Sequence, residues 1–217
     1  MDNRPIGIFD SGVGGLTVVN ALIQNISSET IYYVGDTARV PYGNKSRERI
    51  QQYSEQIIDW LIKKDCKMVI VACNTASSLA IDYLQRKFSL PIVGVIDPGV
   101  QLAISKTKSQ SIGVIGTNAT IQSNAYGEKL KSIRPKINIF NQSCPLLVPL
   151  VEEGLTKGAI TKLIVESYLS HFKSTDIDTL ILGCTHYPIL KEVIKDVLGK
   201  NISLVDSGKA TAEVVME

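Results

Sequence analysis

The chain has 217 residues, 44% hydrophobic and 20% charged, enough for one large domain or two smaller ones with real cores. A formal net charge of +2, with Lys and Glu mixed throughout, gives no electrostatic reason to expect a nucleic-acid or membrane partner. No apolar run approaches the roughly 20 residues a membrane span needs, and MDNRPIGIFDSG lacks the basic and long apolar regions of a secretory signal, so a cytoplasmic location is expected.

IGIF (6–9) reads as a strand, and Gly12 to Asn25 as a helix with apolar positions at Leu16, Val19, Leu22 and Ile23. TIYYVGD (30–36) is a β-branched and aromatic strand. Ser46 to Lys64 is a long helix, apolar at Ile50, Tyr53, Ile57, Trp60 and Leu61. KMVIVAC (67–73) is continuously apolar, as a strand buried on both faces should be. Asn74 to Phe88 is a helix, and LPIVGVID (90–97) a strand. The order βαβαβαβ predicts a parallel sheet covered by helices.

The pattern then restarts. SIGVIG (111–116), INIFNQ (137–142), TLILGC (179–184) and NISLVD (201–206) read as strands, with helices at about 120–132, 146–171 and 186–198. The halves can be laid on each other, Ser11 opposite Thr117. Ser11 to Asp36 is 25 positions, as is Thr117 to Gln142; Asp36 to Cys73 is 37 against 42 for Gln142 to Cys184; Cys73 to Asp97 is 24 against 22 for Cys184 to Asp206. Asp97-Pro98-Gly99 then answers Asp206-Ser207-Gly208. The reading is an internal duplication: an α/β fold of two pseudo-symmetric lobes, each a mostly parallel sheet flanked by helices, divided at 97/98.

Four cysteines occur, at 66, 73, 144 and 184, with no CxxC pair and only His171 and His186 as imidazoles, which argues against a structural zinc site. In a reducing compartment the thiols stay free. Cys73 and Cys184 end matching strands and precede expected helix starts. Parallel sheets bind ligands beyond the carboxyl ends of their strands. If the lobes face each other, the two thiols reach one ligand from opposite sides. A helix N-terminus lowers a thiol pKa and attracts carboxylates, so both thiols are expected to be acidified. Two such thiols suit inversion of a stereocentre, one removing a proton and the other returning one to the opposite face. Cys66 and Cys144 lack a matching partner and read as packing residues. Ser11-Gly12-Val13-Gly14-Gly15 is a glycine-rich turn, but it fails both the dinucleotide and P-loop patterns. Asp10 could equally cap a helix, His186 cap or pack, Glu152-Glu153 be a solvated pair, and Tyr42-Gly43 be an ordinary turn.

IGIFDSGVGGLTV (6–18), YVGDTARVPYGNKS (33–46), VIVACNTASS (69–78), PIVGVIDPG (91–99), IGVIGTNAT (112–120), CPLLVPLVEEG (144–154), LILGCTHYP (180–188) and VDSG (205–208) together resemble the glutamate racemases, cofactor-independent members of the aspartate/glutamate racemase superfamily. The resemblance runs across nearly the whole chain. It implies conversion of L-glutamate to D-glutamate for peptidoglycan, in a cleft between the lobes, with no metal and no cofactor. It assigns Cys73 and Cys184 as the two bases, Asp10 as the helper of Cys73, and His186 with Glu152 as helpers of Cys184. Asp10, Ser11, Tyr42, Gly43, Asn74, Thr75, Thr185 and His186 would hold the substrate, with Thr117 and Thr120 in the same role and Asp36 as an auxiliary. It also implies that 208–217 returns to the first lobe, that the family pattern continues past Glu217, and that the assembly is a homodimer. Two alternatives stand beside this reading: an aspartate or related racemase, and a gyrase-inhibiting binding role, for which only five residues precede Ile6.

Overall fold

The computed structural model describes residues 2–24 and 29–215. The first half runs β1 (Ile6–Asp10), α1 (Leu16–Ile23), β2 (Ile31–Gly35), α2 (Arg47–Lys63), β3 (Met68–Val71), α3 (Asn74–Lys87) and β4 (Ile92–Gly94). The second runs α4 (Ile96–Lys106), β5 (Ser111–Gly116), α5 (Asn118–Gln122), α6 (Ala125–Ile133), β6 (Asn138–Ser143), α7 (Leu147–Glu152), α8 (Ala159–Leu169), β7 (Thr179–Gly183), α9 (Lys191–Leu198), β8 (Ser203–Asp206) and α10 (Ser207–Val215). The strands form two four-stranded sheets of the same order, β2-β1-β3-β4 and β6-β5-β7-β8. All pairs are parallel. Every residue of β1, β5 and β7 is buried, which is why these strands carry uninterrupted apolar runs.

The registers refine the duplication. Phe9 pairs with Val71 as Ile115 pairs with Leu182, so Cys73 and Cys184 occupy the same place in each sheet, two residues further on. Ser11 and Thr117 also correspond. Two of the sequence alignments are shifted, however. Val34, not Asp36, answers Gln142, because these residues pair with Phe9 and Ile115 respectively. Gly94, not Asp97, answers Asp206, because these pair with Val71 and Leu182.

Asp97 is displaced because the expected strand over 90–97 stops at Gly94 and a helix begins at Ile96. Asp97 and Pro98 lie in the first turn of α4, where an acid suits the dipole and a proline loses no hydrogen bond. The helical spacing of buried Ile96, Val100, Ala103 and Ile104 was available in the sequence, masked by the apolar run before it. Four other helices differ from expectation. The helix at 120–132 divides at Asn124, which takes a left-handed backbone with φ 55°. The one at 146–171 divides at a loop holding Gly154 and Gly158 at φ 72° and 98°. The one at 186–198 opens with a 3-10 turn over Tyr187–Leu190, and α9 follows. The first helix begins only at Leu16, after the glycine turn, and its expected end at Asn25 lies outside the described residues.

Hydrophobic clusters cover both faces of each sheet. Ile96, Val100 and Ala103 of α4 pack with Ile112, Val114, Ile181 and Val205 of the second sheet. Ala212 of α10 packs instead with Val18, Leu22, Ile8 and Ile70 of the first half. Cys66 and Cys144 lie inside cores, each beneath a different sheet. Among the described residues, no helix is long and apolar enough to cross a membrane.

Candidate active site

The carboxyl ends of both sheets meet at one cleft, with about 300 Å³ of empty space including its mouth. Ser11, Tyr42, Gly43, Cys73, Asn74, Thr75, Thr117, Cys184, Thr185 and His186 line it, together with Val40, Pro41 and Val148. Ten expected site residues thus share one wall. Asp10, Glu152 and Thr120 stand behind that wall and touch it through hydrogen bonds. No Lys or Arg lines the cleft among the described residues. An anionic ligand there would be held by neutral donors.

Asp10 ends β1 and is fully buried. Its Oδ2 accepts the N–H groups of Gly12 at 3.1 Å and Gly15 at 3.0 Å. From the other lobe, the Thr185 hydroxyl donates to its Oδ1 at 3.3 Å. Burial raises the Asp10 carboxyl above the usual range, opposed by His186 and the turn's N–H groups. The glycines serve this close packing. A Cβ on Gly14 would lie 2.5 Å from Thr185 Oγ1 and 2.6 Å from His186 Nδ1. The turn therefore lets the lobes meet, which explains glycines in a loop that matches no phosphate motif.

Cys73 caps α3, its Sγ accepting the Ala76 N–H at 3.5 Å. The helix N-terminus does not acidify it as expected. Burial, reinforced by the nearby Asp10, pushes the thiol up to about 12, against the N–H of Ala76 and the hydroxyl and N–H of Ser11. Cys184 is likewise pushed up by burial, against the N–H groups of His186 and Tyr187. It precedes a 3-10 turn rather than an α-helix, so the dipole available to it is short. Burial thus favours the protonated thiol at both sulfurs.

Each thiol has different ionisable neighbours. Cys184 Sγ lies 3.7 Å from His186 Nδ1, and His186 Nε2 lies 2.5 Å from Glu152 Oε1. A carboxylate only accepts, so His186 Nε2 donates to Glu152 and holds the ring with Nδ1 facing the Cys184 sulfur. Asp10 is the charge facing Cys73.

Donors cluster at the α3 N-terminus. The hydroxyls of Thr75 and Thr117 lie 3.0 Å apart, and Thr120 completes the triangle at 3.2 Å and 3.0 Å. Gly43 packs on Thr117, where a Cβ would come within 2.6 Å of the threonine Cβ. The Tyr42 hydroxyl donates to Asp36 at 2.6 Å, and Asp36 also pairs with Arg39 at 3.4 Å. Asp36 therefore props Tyr42 and does not itself line the cleft. Asn74 is 2% exposed; its Oδ1 accepts two hydroxyls while its Nδ2 has no partner. Those hydroxyls belong to Tyr126 and Ser207, which sequence reasoning missed. Ser207 stands inside the quoted VDSG but carried no chemical signal, and Tyr126 lies 52 positions from Asn74.

Two α/β lobes of one topology, closing matched thiols over a single donor-lined cleft, define a racemase-type site, and the chain belongs to the Asp/Glu/Hydantoin racemase family, whose model matches residues 6–215. Its similarity to glutamate racemases is extensive. It is 49% identical over 214 residues to the glutamate racemase of Geobacter metallireducens, covering 99% of this chain and 79% of that one. The structure of glutamate racemase isoform RacE1 from Bacillus anthracis superposes with a TM-score of 0.96 at 41% identity, over 100% of this chain and 81% of that one. The Francisella tularensis glutamate racemase, solved in complex with D-glutamate, gives a TM-score of 0.93 at 43% identity, over 100% and 81% of the two chains.

Proposed function

We propose that this protein interconverts L- and D-glutamate by a two-thiol mechanism that needs no cofactor, and so supplies D-glutamate for peptidoglycan. The observation that carries the reading is the placement of Cys73 and Cys184 at equivalent positions of two like sheets, facing one cleft, with His186 against Cys184 and the Asp10 carboxyl near Cys73.

In this reading the lobes divide where β4 gives way to α4, and α10 packs on both, through Ala212 on the first lobe and against α4 on the second. Substrate carboxylates are held by the unpartnered Asn74 Nδ2, the hydroxyls of Ser11, Thr75, Thr117 and Thr185, and the N-terminus of α3. In one direction Cys73 passes its proton to the Asp10 carboxylate, whose raised pKa matches it to the task. The Cys73 thiolate then removes the α-proton, and the electron pair left on carbon is stabilised by fixed dipoles at the α-carboxylate. Cys184 delivers its own proton to the opposite face and ends as a thiolate, with His186 and Glu152 managing its charge. The reverse direction exchanges the two roles. Water exclusion by the closed lobes strengthens every dipole involved.

Cys73→Ala and Cys184→Ala should each lower racemisation on the order of a thousandfold or more. Glutamate should be turned over in strong preference to aspartate. A fully active Cys73→Ala protein would sink the mechanism, and equal turnover of aspartate would overturn the substrate assignment.

A further inference from the structure

We infer that Tyr126 and Ser207, both from the second half of the chain, are positioning residues that fix the orientation of the Asn74 side-chain amide towards the substrate. The inference rests on the proposed role of Asn74 in holding a substrate carboxylate.

An asparagine amide presents an acceptor at one end and two donors at the other, and only its partners decide which way it points. Tyr126 donates to Asn74 Oδ1 at 2.6 Å and Ser207 donates to the same oxygen at 3.3 Å. All three side chains are buried. Two hydroxyls converging on one oxygen leave Nδ2 on the other side, buried and unpartnered beside the cleft. A flipped amide would turn an acceptor towards a carboxylate and repel it. Burial raises the Tyr126 phenol, so it remains a donor throughout the working pH range. The surroundings are built for this contact. A Cβ on Gly183, next to Cys184, would lie 3.2 Å from Tyr126 Cε2. A Cβ on Gly99 would lie 3.1 Å from Ser207 Cβ and 3.6 Å from Tyr126 Cε1. Gly99 makes room for the pair, and Gly183 lets Tyr126 pack beside the Ile115 carbonyl, which an added Cβ would meet at 2.7 Å.

The contact also joins the two halves of the fold. Asn74 opens α3 beside Cys73, Tyr126 lies in α6, and Ser207 opens α10. Tyr126 reaches Asn74 from the second lobe, so that bond forms only when the lobes are together.

A double-mutant cycle on KM and kcat for both glutamate enantiomers tests this. Asn74→Ala should raise KM on the order of tenfold or more, the worth of a hydrogen bond to a charged group. Tyr126→Phe should raise KM several-fold with little change in kcat, the signature of lost uniform binding. In the Asn74→Ala background, Tyr126→Phe should have no further effect on KM. Ser207→Ala, measured in the same two backgrounds, gives an independent cycle should Tyr126→Phe lower the folded fraction. A KM increase of equal size with and without the Asn74 side chain would mean ordinary packing and overturn the inference alone. An unchanged KM in Asn74→Ala would overturn it together with the assignment of Asn74 to the substrate.

Discussion

Replacing Gly14 with alanine sets a single methyl group against the active site. The new Cβ would meet Thr185 Oγ1 at 2.5 Å, His186 Nδ1 at 2.6 Å and His186 Cε1 at 2.7 Å. Comfortable contact needs about 3.5 Å, so these groups or the turn must retreat by close to 1 Å. Neither partner is free to move. Thr185 and His186 are 6% and 2% exposed, Thr185 bonds to Asp10, and His186 bonds to Glu152 beside Cys184. Misplacing catalytic groups by about 1 Å costs on the order of 100-fold in rate, or about 2.7 kcal/mol of barrier. The overpacking itself costs about 1–3 kcal/mol of stability. Gly12→Ala is the internal control, because its Cβ meets nothing closer than Val40 Cγ2 at 3.5 Å and Glu152 Oε1 at 3.7 Å. Neither glycine has a left-handed backbone, so steric contact is the variable that separates them. Racemisation of each enantiomer, followed by circular dichroism, and thermal unfolding of both variants provide the readout. Gly14→Ala with wild-type kcat/KM and melting temperature, or Gly12→Ala with an equal loss, would refute the reasoning.

Glu152→Gln should lower kcat/KM on the order of 100-fold, the low end of what one positioned acid–base group contributes. The loss must be equal for both enantiomers, since their equilibrium constant is one, and melting should change little because the Glu152 side chain is 33% exposed; unchanged kcat/KM would remove Glu152 from the mechanism. Alkaline pH should destabilise the fold through Cys73. Its folded pKa of about 12 exceeds the ordinary 9.0, so between these values the unfolded chain releases a proton that the folded one keeps, and stability falls as pH rises. The slope approaches about 1.4 kcal/mol per pH unit for each such thiol. Denaturant titrations from about pH 8 to about pH 10 should therefore give a shallower decline for Cys73→Ala, and parallel declines would contradict the burial argument.

Much of this was legible in the sequence because parallel strands buried on both faces are written as unbroken apolar runs. IGIF, MVIVAC and TLILGC announced the central strands, and the matched cysteines at their ends followed from strand counting alone. Ser11, Cys73, Thr117 and Cys184 were expected at one edge because open parallel sheets gather ligands beyond their strand ends, whereas Tyr42, Glu152 and Thr120 came only from the family resemblance. Helix α4 was missed because the apolar run of PIVGVI continues past the end of β4, so period could not mark the boundary. Asp97 then seemed to match Asp206, an error of three residues that only the register exposes. The acidification expected for the thiols failed for a different reason. Sequence shows the helix start but not the depth of burial, and at Cys73 burial outweighs the Ala76 N–H. The Tyr126 bond to Asn74 was invisible because it is a tertiary contact that no local pattern marks.

Racemisation in heavy water tests the two-thiol account most directly. Starting from either pure enantiomer, early product should carry solvent deuterium at the α-carbon, while unreacted substrate keeps its original proton, because separate thiols serve the two faces. Early product that retains the original proton, or substrate that exchanges as fast as product forms, would mean that one base serves both faces and would contradict the assignment of Cys73 and Cys184.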